Sequence, residues 1–74
     1  MELYGGIDLH SNNNVVVLTD EQDQMLLRRR LLNRLDRVLE ELEPYREDIK
    51  GLVVESTYNW YQYWLVDSLI EAGF

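Results

Sequence analysis

The sequence predicts a small α/β domain with a mixed sheet, in the order β-β-β-α-β-α. Three observations carry that expectation. Residues 2–10 alternate strictly between two faces; two further strand-like segments follow, each set off by a polar turn. After them, two stretches of helical apolar spacing flank one short apolar run at Leu52, Val53 and Val54. At 74 residues the chain makes at most one small domain, and a chain this short buries only a modest share of its surface.

The first strand, residues 2–10, places Leu3, Gly5, Ile7 and Leu9 on one face and Tyr4, Gly6, Asp8 and His10 on the other. Ser11, Asn12, Asn13 and Asn14 carry turn chemistry, because asparagine tolerates left-handed backbone and closes local hydrogen bonds. Residues 15–19 are β-branched and apolar, a buried strand; residues 20–23 form a second polar turn, and residues 24–31 return as a third strand ending in arginines. Asn33 is placed to cap a helix in which Leu35, Val38, Leu39 and Leu42 make one apolar stripe, and Pro44 stops or restarts it. The short strand at 52–55 follows Gly51. Ser56 or Thr57 can then cap a second helix, with Tyr61, Leu65, Val66, Leu69 and Ile70 inward and Gly73 at its C-terminal cap. A helical crossover lets the strand at 52–55 lie parallel to the first strand, which then becomes central.

Composition narrows the function. There are no cysteines, which excludes disulfides and thiolate metal sites and fits a reducing cytoplasm. The longest uninterrupted apolar run, residues 15–18, is far short of the ~20 residues of a membrane helix, and no signal-peptide pattern opens the chain. A cytoplasmic protein with no membrane partner is therefore expected. The net charge of -7 argues against a free-standing, non-specific nucleic-acid binder. Distribution tempers that argument: five of the seven basic residues, Arg28, Arg29, Arg30, Arg34 and Arg37, fall within ten positions, while acids concentrate at residues 40–48. This basic run is a candidate nucleic-acid contact; it is equally a device that discourages edge-to-edge sheet pairing.

Asp8 and Glu55 are the candidate catalytic and metal-binding residues. Each is an acid at the end of an otherwise apolar strand, where charge is costly unless compensated, and a cation is the natural compensation. On neighbouring strands ~4.8 Å apart, two such carboxylates share one divalent ion, and oxygen-only ligands favour magnesium or manganese. The alternative is local: Asp8 satisfies the turn that follows it and Glu55 supports the helix start near Thr57. His10 shares a strand face with Asp8 and is a supporting candidate. Tyr58, Trp60, Tyr61, Tyr63 and Trp64 are candidates for base stacking, though aromatics at helical spacing more often fill a core.

Two segments carry a resemblance. Tyr4-Gly5-Gly6-Ile7-Asp8-Leu9-His10-Ser11 with the strand at 15–18, and Val53-Val54-Glu55-Ser56-Thr57-Tyr58-Asn59-Trp60-Tyr61 leading into Trp64-Leu65-Val66-Asp67, resemble the N-terminal part of the DEDD transposases of the one-ten family of insertion sequences. The resemblance spans essentially the whole chain. It implies a ribonuclease H-like (RuvC-type) partial fold, with residues 1–74 the N-terminal portion of the nuclease domain of a bacterial or archaeal protein. It further implies that Asp8, Glu55 and two later aspartates bind magnesium and drive DNA cleavage and exchange in transposition. A structured guide RNA and a C-terminal domain with a serine nucleophile are also implied. The sequence departs from the family by stopping at Phe74, where the next strand would begin, and Asp67 fits neither later aspartate. Weak magnesium binding and no catalysis by this chain alone are expected.

Two other readings compete. A truncated, inactive assembly or regulatory module is motivated by the incomplete acid set and by a strand edge that self-association would satisfy. The phosphate-binding half of an actin-like ATPase also opens with strand, Gly-x-Asp, turn and strand. Its turns present glycine and hydroxyls to phosphate, whereas residues 10–14 contain no glycine.

Overall fold

The computed structural model describes residues 1–56 and 59–74, with the side chains of residues 59–64 left aside. Strands β1 (Leu3–Leu9), β2 (Asn13–Asp20) and β3 (Met25–Leu32) form a meander. Helix α1 (Leu35–Leu42), a short 3-10 turn (Glu43–Tyr45), strand β4 (Ile49–Ser56) and helix α2 (Asn59–Glu71) follow. The sheet order is β3-β2-β1-β4, antiparallel within the meander and parallel between β1 and β4. Connection length explains the mixture, since short turns can only reverse the chain while the α1 crossover brings β4 back alongside β1 in the same direction.

Pleating sorts the sheet into two unlike faces. On one, Ile7 and Leu9 of β1, Val16 and Leu18 of β2, Leu27 and Leu31 of β3 and Val54 of β4 are buried, and Val38, Leu42, Leu65 and Leu69 of the two helices close over them in a single cluster. Each fully buried leucine or isoleucine there contributes roughly 1.5–3 kcal/mol. Gly5 belongs to this face. A Cβ at that position would collide with Leu52 Cδ2 and lie 2.7 Å from Leu18 Cδ2, so glycine lets leucines from the two flanking strands meet over β1. No described element packs on the opposite face.

Three local expectations are corrected. The first turn is tighter than residues 11–14: Asn13 and Asn14 are already in β2, and His10 N–H donates to Asn13 O at 2.8 Å around Ser11 and Asn12. Asn33 does not cap α1, whose N-cap is Arg34 with no side-chain cap bond. Its amide is spent elsewhere, donating to His10 O at 2.6 Å and accepting from Asn14 Nδ2 at 3.0 Å. Asn14 has the parity of Val16 and Leu18 and is buried, so it needs those partners; its Oδ1 has none among the described residues. Finally, Ile70 is exposed, because α2 lies over the edge strand β4 and its outer flank overhangs the sheet along a groove lined by Leu52, Val66 and Phe74.

Strand β4 also exceeds the expected 52–55, beginning at Ile49 with Gly51 inside it, whereas the second turn and the end of α2 follow the sequence. Asp20 Oδ1 accepts from the N–H groups of Gln22 and Gln24 at 2.8 and 2.9 Å, closing the second turn with Asp23 at φ 62°. Helix α2 is capped at Gly73, with φ 93°. Phe74 N–H donates to Leu69 O at 2.9 Å and Gly73 N–H to Ile70 O at 3.0 Å, the two bonds of a Schellman cap. Arg46 secures this end by pairing with Glu43 at 2.8 Å, donating to Ala72 O and lying 4.5 Å from the centre of the Phe74 ring.

Candidate functional site

Register decides what the open face presents. Asp8 of β1 is the direct partner of Glu55 in β4 and of Val15 in β2, and Val15 faces Arg30 in β3. One row across the face therefore reads Arg30, Val15, Asp8, Glu55. The next reads Arg28, Val17, Gly6, Val53. Together with His10 these residues line a shallow basin of about 430 Å³.

Asp8 and Glu55 thus meet on adjacent parallel strands, ~4.8 Å apart along the hydrogen-bonding direction. His10 Nε2 lies 3.2 Å from Asp8 Oδ2. The acids are not buried, however. Asp8 is 60% exposed, and Glu55 is exposed as well. Neither carboxylate therefore needs a cation to offset burial, because water solvates both. What remains is mutual repulsion, since like charges directly opposite on paired strands destabilise the pair. Among the described residues no three histidine and acidic side chains converge as a complete metal site.

The basic run is divided by the same pleat. Arg28 and Arg30 stand on the open face with the acids, while Arg29 has the parity of Leu27 and Leu31. Arg34 and Arg37 belong to the α1 region and are neutralised there, Arg34 by Asp36 at 3.0 Å and Arg37 by Glu40 at 2.9 Å. Asp67 lies on α2, across the sheet from Asp8. The aromatic set at residues 58–64 and Thr57 as a helix cap lie outside the described residues and side chains.

Strand parity singles out two residues of this face: Gly6, which the sequence does not mark as a site residue, and Arg28, which the sequence marks only as one member of the basic run. Gly6 leaves bare backbone between Val17 and Val53, where an added Cβ would meet nothing within 4 Å. Arg28 is separated from Arg29 only by parity. The signal for both was present, since the alternation of residues 2–10 puts Gly6 beside Asp8, and pairing residues 24–31 with the preceding strand would have split the arginines.

Comparison with family models, with curated proteins and with solved structures found no match. Among the described residues no helix is long and apolar enough to cross a membrane.

Proposed function

We propose that this chain is the N-terminal part of a ribonuclease H-like (RuvC-type) nuclease domain of the DEDD transposase kind, in which Asp8 and Glu55 hold a magnesium or manganese ion for DNA cleavage and exchange. The supporting observation is the direct Asp8–Glu55 pairing across parallel strands on an uncovered face.

The donor chemistry suits such an ion. Magnesium keeps much of its water and takes only one or two protein carboxylates, so two oxygen donors open to solvent are compatible with it. When bound, the ion would supply Lewis acidity and a more acidic water for phosphodiester chemistry. The protein's own part is positional. Strand pairing sets the spacing of the acids, and His10 Nε2 stands 3.2 Å from one oxygen of Asp8. On this reading two further aspartates complete the set, and the partners are DNA and a structured guide RNA.

The test uses a chain that also carries the two further aspartates. Asp8→Asn and Glu55→Gln each abolish magnesium-dependent DNA cleavage with the fold retained, while Asp67→Asn, on the other side of the sheet, leaves it intact. Undiminished cleavage in either of the first two overturns the assigned roles.

One observation favours a second reading. The apolar groove between β4 and α2 opens at the sheet edge, with Ile70 63% exposed. A non-catalytic assembly module that self-associates would use such an edge, and sedimentation at several concentrations separates it from a strictly monomeric chain.

A further inference from the structure

We infer that the open face is a track for a single DNA strand, with Arg28 and Arg30 gripping its phosphodiester backbone two strands away from the acid pair. The choice of phosphodiester rests on the function proposed above; the choice of residues rests on four independent features of the face.

The first is parity. Of the five clustered arginines only Arg28 and Arg30 project on the side of Asp8 and Glu55, opposite Val17 and Val15. The second is pairing. Arg34, Arg37 and Arg46 each have a carboxylate within 3.0 Å, whereas Arg28 and Arg30 have none among the described residues, in a chain with twice as many acids as bases. Arg30 Nη1 donates to Asn13 Oδ1 at 3.0 Å, which fixes its direction and leaves most of its five N–H donors for an incoming anion.

The third feature is the floor. Val15 and Val17 are half-buried, Val53 is exposed and Gly6 has no side chain at all, so the surface between the two charged ends is apolar and low. Sugar and base faces can lie on it without displacing a polar group. The fourth is polarity across the face. The arginines stand ~10 Å from Asp8, two strand spacings away, so an anionic strand held at β3 reaches the acids only as it crosses toward β4. Edge protection, the competing explanation for arginines on β3, gives no role to which face each one occupies.

The experiment measures binding of a fluorescein-labelled single-stranded DNA 20-mer to the 74-residue chain by anisotropy, in EDTA, over a range of salt concentrations. Two charge-matched double variants are compared, Arg28→Gln/Arg30→Gln and Arg34→Gln/Arg37→Gln. The first is expected to weaken binding about ten-fold at low salt and to flatten the salt dependence by about 1.4 in log–log slope, ~0.7 for each lost phosphate contact. The second is expected to change binding by less than about two-fold, because its arginines are paired on the helix-bearing side. Asp8→Asn/Glu55→Gln, which removes repulsion from the same face, is expected to tighten binding several-fold. Equal losses in the two arginine variants, or no binding by the parent chain at low salt, overturns the inference. Because no metal is present, a failed metal site leaves this result unchanged, and the two proposals fail separately.

Discussion

The two faces of this sheet use the same strands for opposite ends. On the helix-bearing face, Ile7, Val16, Leu18, Leu27 and Leu31 are packed to near-complete burial under α1 and α2. On the other face, their immediate sequence neighbours Asp8, Val15, Val17, Arg28 and Arg30 line an open basin. The difference teaches that stability and candidate chemistry are interleaved residue by residue. A one-residue shift of register would exchange them, so the pattern that folds the chain also positions its acids.

Adjacent glycines give the largest expected contrast. Gly5→Val is expected to cost at least about 3 kcal/mol and to unfold much of the population, because its side chain enters space held by Leu18 and Leu52. Gly6→Val, one residue on and facing open space, is expected to be neutral or up to about 1 kcal/mol stabilising. Urea denaturation of both variants checks this, and equal losses would mean that the faces are not as distinct as the packing indicates.

A smaller contrast comes from adjacent asparagines. Asn14 is buried and tied to Leu32 O and Asn33 Oδ1 at 3.3 and 3.0 Å, so Asn14→Ala should cost about 1–3 kcal/mol. The Asn13 side chain accepts a hydrogen bond from Arg30 on the open side, and Asn13→Ala should stay within about 0.5 kcal/mol. Thermal melts of the pair would sharpen the comparison at the end of the sheet nearest the acids.

The smallest effect belongs to the exposed Glu43–Arg46 pair. The hydrogen bond from Arg46 holds the Glu43 carboxyl below its ordinary range. A folded-state pKa that is lowered gives stability present above the unfolded value and lost as pH falls through the folded one. Glu43→Gln should therefore lower the melting temperature slightly at neutral pH, and the gap from the parent should close in acid. A gap that widened in acid would reverse the assigned sign.

Much of this architecture was legible because one physical rule, alternation with period 2 or 3.6, governs strongly patterned segments. Residues 2–10 announced β1 and both of its faces, and Leu35, Val38, Leu39 and Leu42 announced α1 and the side it covers. The asparagines depart from what their local chemistry favours. Asn13 and Asn14 looked like turn because their local chemistry favours it, yet the side chain of Asn33 and the ladder with β3 hold them in β2. Asn33, in turn, looked like a helix cap because nothing local reveals a partner 23 positions away at His10. Ile70 fits the helical stripe but lies beyond the edge of the sheet, and sheet width is a tertiary property.

The candidate site was legible in its residues and less so in its environment. Asp8 and Glu55 stood out as acids closing apolar strands, and they do pair directly. Their exposure was not foreseen, because periodicity shows which residues share a face without showing whether anything covers it. The arginines illustrate the same limit: five in a cluster read as one patch, while pleating and the ion pairs of the α1 region leave two of them on the face of the acids, two strands away.

Manganese titration followed by two-dimensional amide NMR tests the acid pair most directly. If Asp8 and Glu55 share a cation, paramagnetic broadening begins at residues 6–10 and 53–56 and is lost in both Asp8→Asn and Glu55→Gln. Broadening that begins instead in the acidic run at residues 40–48, or that survives both substitutions, would contradict the account.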